Sequence, residues 1–207
     1  MFNPKRRWVL PAFLIGLLLA ACGGGGGEAG SGGGGVTVTS VGLIALPETG
    51  VIRCTDATGT AIDCASTGQD GDLKAGVAWS NPRFTVDGTG NCITDNLTGL
   101  MWARGDGGFR TWQPALDFAN SLDLCGFTDW RMPNRKELLS LVNFGAGNVG
   151  IWLLDSGFTF QAESVLWSSS SVAGSATEAW TLLVLPGVVS QSPKSGGNYI
   201  LPVRAGS

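Results

Sequence analysis

Apolar positions in the second half of the chain follow two rhythms, one helical and one alternating. Trp112, Ala115, Leu116, Ala119 and Leu122 recur at helical spacing, which gives the segment Trp112–Leu122 one apolar face. Thr111 stands at the N-cap position, and Pro114 lies in the first turn, where its missing N–H forfeits no hydrogen bond. A second helix is predicted after Asn134, because Glu137 three residues on completes a capping box. Leu138, Leu141 and Val142 form its buried stripe, and Gly145 ends it. The runs Ile93–Ala103, Val165–Ser170, Ala179–Leu185 and Asn198–Arg204 read as strands, with Pro186-Gly187 as a turn. Two helices packed on antiparallel hairpins predict an α+β domain.

The N-terminal third has neither rhythm. Trp8–Ala21 is an apolar run of 14 residues, shorter than the about 20 a membrane-spanning helix needs. It follows Lys5, Arg6 and Arg7, which is the charge order of a secretory signal. Leu19-Ala20-Ala21-Cys22 resembles the bacterial lipobox, whose cysteine becomes the acylated first residue of the mature chain. The resemblance implies a signal peptide at 1–21 and a membrane anchor through lipid on Cys22, since buried acyl chains contribute about 0.8 kcal/mol per CH₂. Gly23, where an Asp would resemble an inner-membrane retention signal, favours the outer membrane. Gly23–Gly35 contains only Gly, Glu, Ala and Ser, a flexible tether with an end-to-end distance of about 20 Å. Residues 36–45 alternate and are β-prone, so 22–45 are expected to join the lipid to a domain at 46–207. Leu46-Pro47-Glu48-Thr49-Gly50 reproduces a sortase signal, but that signal works near a C-terminus. Here it reads as a strand-to-turn connection.

Charge narrows the partners. Without residues 1–21 the chain keeps 10 of its 13 Lys and Arg and all 16 Asp and Glu, a net −6. No nucleic-acid partner is expected, because that affinity rests on cations set against phosphates. Five cysteines leave four after Cys22: Cys54, Cys64, Cys92 and Cys125. In an exported chain these are read as disulfides, with three connectivities open. The short loop between Cys54 and Cys64 holds Thr-Gly-Thr and suits a local pair, which leaves Cys92 with Cys125. No histidine and no paired C-x-x-C spacing is present, so neither a zinc site nor any cofactor is expected. Asp70-Gly71-Asp72 reads as a turn, and no metal is assigned to it.

Five stretches carry a family resemblance: TDNLTGLMWAR (94–104), GFTDWRMPNRKELLSLV (126–142), VLWSSS (165–170), AWTLLV (179–184) and LPVR (201–204). With TGQDGDLKAGVAWSNPRF (67–84), they resemble, in order over about 46–204, the C-terminal domain of the Legionella collagen-like adhesin (Lcl). The resemblance implies a variant of the C-type-lectin-like fold. It does not bring calcium-dependent sugar binding, because Glu-Pro-Asn, Gln-Pro-Asp and Trp-Asn-Asp are all missing.

Enzyme chemistry finds little support. The chain has no G-x-S-x-G, S-x-x-K, Walker loop or strand-linked G-x-G-x-x-G. A carboxylate-based hydrolase stays a remote alternative. Trp102, Trp130, Met132, Trp167 and Trp180 are assigned to the core, and Asp129 to a pair with Arg131 or Arg204. Arg104, Arg110, Arg131, Arg135 and Lys136 are the candidate ligand-binding cations. The expected function is a tethered, non-catalytic binding or adhesion module for a glycan or an envelope or host protein, with a structural envelope lipoprotein as the alternative.

Overall fold

A computed structural model of the chain describes residues 46–206. The signal peptide read at 1–21, the lipidated Cys22, the tether and the β-prone segment 36–45 lie outside the described residues.

The described residues begin with a small hairpin of β1 (Cys54–Thr55) and β2 (Ala61–Ile62), tied by the Cys54–Cys64 disulfide. Asp70-Gly71-Asp72, read as a turn, lies in a one-turn helix α1 (Asp70–Leu73). Strands β3 (Phe84–Val86), β4 (Cys92–Asp95) and β5 (Leu100–Ala103) follow, then β6 (Phe109–Thr111). Helices α2 (Trp112–Asn120), α3 (Arg135–Ser140) and α4 (Val149–Asp155) come next. The chain ends in β7 (Val165–Val172), β8 (Ser175–Leu183), β9 (Val188–Pro193), β10 (Gly197–Tyr199) and β11 (Val203–Ala205).

Two larger sheets enclose the core. One has the order β11-β5-β4-β3 and is antiparallel throughout. The other has the order β6-β10-β7-β8-β9, with one parallel pair, β10 on β7. Side chains alternate between faces along a strand, so Leu166 and Leu182 point one way while Trp167 and Ala179 point the other. The first pair joins the main core with Ile93, Trp102 and Val203 of the four-stranded sheet and with Leu138, Leu141 and Leu153. The second pair joins Ala115 and Ala119 of α2, Met132 and Ile200. The five-stranded sheet is thus covered on both faces. The Cys92–Cys125 disulfide lies in a third cluster with Ala103 and Trp130, and it ties β4 to the segment after α2.

Local signals and long-range packing part company at several places. The capping box at Asn134 is formed: Asn134 accepts from the Lys136 and Glu137 amides, and Glu137 accepts from the Asn134 amide. That helix ends at Ser140, so Leu141, Val142 and Gly145 lie beyond it. Thr111 occupies the N-cap of α2 without a side-chain cap bond. The single strand read over Ile93–Ala103 is a hairpin, because Asp95 accepts from the Leu97 amide and the Thr98 hydroxyl and folds the chain back. The single strand read over Asn198–Arg204 is two, β10 and β11, placed in different sheets. The two-helix expectation becomes four helices among the described residues, with α1 and α4 added. The α+β class stands.

Candidate functional site

Helix α3 lies against β7 and β8, and its N-terminal residues border an opening at the sheet. There a groove of about 610 Å³ opens between Asn134, Arg135 and Lys136 on one side and Ser170–Ala173, Trp180 and Gln191 on the other. Trp180 shares the sheet face of Leu182 but stands two residues earlier in β8, outside the core, and is half-buried. Gln191 of the edge strand β9 is its cross-strand partner. The Arg135 guanidinium lies 4.5 Å from the centroid of the indole ring, a cation–π contact. Trp180, assigned to the core from its strand pattern, is therefore a groove residue.

The groove is held in place by hydrogen bonds around its rim. The Arg135 amide donates to Ser170 Oγ at 3.1 Å, tying the start of α3 to β7. Lys194 Nζ donates to Ser171 Oγ at 2.8 Å and lies 4.2 Å from the Trp112 ring centroid. Glu137 anchors the helix from behind, with Arg131 Nη2 at 2.6 Å and Nη1 at 2.8 Å from its carboxylate. Burial pushes the Glu137 carboxyl up, but the Arg131 and Asn134 hydrogen bonds and the Arg131 charge together hold it below its ordinary value. The hydrogen bonds that Arg131 donates to Glu137 in turn raise the Arg131 pKa.

The five candidate cations divide. Arg135 and Lys136 line the groove. Arg131 is committed to Glu137. Arg104 donates to the carbonyls of Gly157 and Gly90 and staples two loops. Arg110 donates to the Gly107 carbonyl, and its guanidinium lies 4.2 Å from the Phe118 ring centroid. Asp129 pairs with Arg204 at 2.7 Å rather than with Arg131, and that hydrogen bond lowers its carboxyl. Asp87, Cys92 and Cys125 bring one carboxylate and two sulfurs together. Both sulfurs are spent in the disulfide, and a metal requires the thiolate.

Residues 91–204, more than half of the chain, match the family model of the Lcl C-terminal domain. The chain belongs to that family. No curated protein matches the chain. The groove, the capping box and the Cys92–Cys125 bridge all fall inside the Lcl C-terminal domain match, while residues 46–90 precede it. Sequence reasoning missed Ser170, Ser171, Gln191 and Lys194, which enter only through sheet pairing. The one usable signal was the run of four serines at the end of β7, which is too polar for a strand buried on both faces.

Proposed function

We propose that this Lcl C-terminal domain is a non-catalytic binding module that holds a glycan in the Trp180 groove. The observation that carries the reading is Trp180 itself, an indole outside the core and framed by hydroxyls and amides. Sugars stack their C–H faces on such rings and spend their hydroxyls on such neighbours, and the groove volume falls in the range of roughly 300–1,000 Å³ typical of ligand pockets. Arg135 and Lys136 at one end favour a saccharide bearing an acidic group. The sequence supports an exported, lipid-anchored setting in the bacterial envelope, outer membrane favoured, and the resemblance supports a C-type-lectin-like frame. Cys22→Ser should release the protein from membranes, and unchanged detergent partitioning would count against the anchor.

A glycan array probed with the full chain tests the groove. Acidic saccharides should be retained, and Trp180→Ala should lose about tenfold or more in affinity, as truncation of a central aromatic contact does. Retention unaffected by Trp180→Ala, or no retention at all, would overturn the glycan reading. A second reading is docking of an envelope or host protein by strand addition. It is favoured by β9, which pairs only with β8 among the described residues and leaves its outer edge open.

A further inference from the structure

A second groove, of about 520 Å³, lies on the other side of Lys136 and differs in chemistry from the first. Its walls are Leu46, Trp79, Leu139, Val142 and Phe144. Leu46 is 77% exposed, Phe144 53% and Leu139 39%, so large apolar side chains meet water here. Most polar groups along it are already satisfied internally. Trp79 Nε1 donates to the Glu48 carbonyl at 2.7 Å, Ser140 Oγ to the Glu137 carbonyl at 2.7 Å, and the Thr49 hydroxyl to Asp70.

One donor is left over in an unusual place. Arg83 lines this groove with a side chain only 6% exposed. Its Nε and Nη2 are spent on Asp95 and on the Ser140 carbonyl, while Nη1 makes no hydrogen bond among the described residues. Among the described residues the fully buried side-chain atoms without partners are Trp102 Nε1, Ser164 Oγ and Thr181 Oγ1. Nη1 is not among them, and Arg83 lines the groove. Buried donors are ordinarily paired, and a guanidinium offers its free N–H pair to a carboxylate in a fixed plane. Lys136, whose Nζ also has no partner among the described residues, lines the same groove, as does Glu48.

We propose that this groove binds a free alkyl carboxylate, with the chain along Leu46, Leu139 and Phe144 and the head on Arg83 Nη1 and Lys136 Nζ. A singly charged head, held by hydrogen-bond donation, is the most the site takes, because Arg83, Asp95, Lys136 and Glu48 already sum to zero. Asp95 already neutralises Arg83, and Glu48 opposes a second negative charge. Six of its eleven lining residues, from Leu46 to Arg83, precede the stretch matched by the family model, and five lie inside it.

Isothermal titration of the full chain with decanoate, and separately with decanol, tests the proposal. Decanoate should bind at a single saturable site. Decanol, which has the same chain but no charged acceptor, should bind about tenfold or more weakly, the usual worth of a charge-assisted hydrogen bond. Leu139→Asp and Phe144→Asp, both at exposed positions, should each abolish the decanoate heat. Leu73→Asp, an equally acidic change at another exposed leucine, should leave it intact. Equal binding of the alcohol, retained binding in both groove variants, or no binding to the unaltered chain would each overturn the assignment.

Discussion

Asp95→Ala should remove a large part of the domain's stability. The Asp95 carboxylate is fully buried and faces Arg83, whose side chain is 6% exposed, at 3.1 Å. It also accepts from the Leu97 amide at 3.0 Å and the Thr98 hydroxyl at 2.9 Å. Removing one partner of a buried pair leaves the other charge uncompensated and costs about 3–5 kcal/mol. The two turn bonds add about 1 kcal/mol each, less what water recovers. A domain of this size has about 5–15 kcal/mol in all, so the urea midpoint should fall steeply with an unchanged slope. Arg83 also stacks on Trp79, with the guanidinium 4.4 Å from the ring centroid, and closes on the Ser140 carbonyl. Arg83→Met alone should therefore be costly too. The double variant Arg83→Met/Asp95→Ala should cost clearly less than the sum of the singles, since no charge is then stranded. A loss below about 1 kcal/mol for Asp95→Ala, or simple additivity in the cycle, would refute the claim that this pair holds the β4–β5 hairpin.

Three further outcomes follow from the same geometry. In the chain-entropy model the Cys92–Cys125 bridge, with a separation of 33 residues, contributes about 3.7 kcal/mol, against about 2.7 kcal/mol for Cys54–Cys64 with 10. Urea titration of the two double-serine variants should rank them in that order, and the reverse ranking would refute it. Glu137 and Asp129 are held below their ordinary values in the folded chain, so the unfolded chain binds protons first as acid is added. Their contribution is present above the ordinary carboxylate range of about pH 4, and it is lost as pH falls through the lower folded values. Glu137→Gln should flatten that acid limb, and an unchanged limb would refute the assignment. Calcium should leave the melting temperature unchanged, because Asp70 is bonded to Thr49 and Asp72 accepts from the Gly68 amide. A calcium-dependent rise reversed by chelation would make that turn a metal site.

The parts legible in the sequence are those fixed within one turn of chain. The Asn134–Glu137 box needs only four consecutive residues, and Cys54 and Cys64 are brought together by the hairpin between them. Helix α4 was illegible because Gly150 sits inside it, and glycine lowers helix propensity. Gly150 is there for packing, since a Cβ would come within 2.4 Å of the Ala162 carbonyl oxygen. The split of Asn198–Arg204 between two sheets was equally hidden, because partner choice is not a local property. The strand pattern put Trp180 in the core, because a pattern cannot tell where along β8 the core stops. The cations show the same limit. Nothing near Arg104 in the chain reveals that its partner is the carbonyl of Gly157.

The indole N–H resonance of Trp180 tests the binding account most directly. It is identified by its absence in Trp180→Phe and followed while a saccharide retained on the array is titrated into the full chain. The account predicts a saturable shift at Trp180, with Trp102 and Trp167, both fully buried in the core, left unmoved. Saccharide binding with no shift at Trp180 would contradict it.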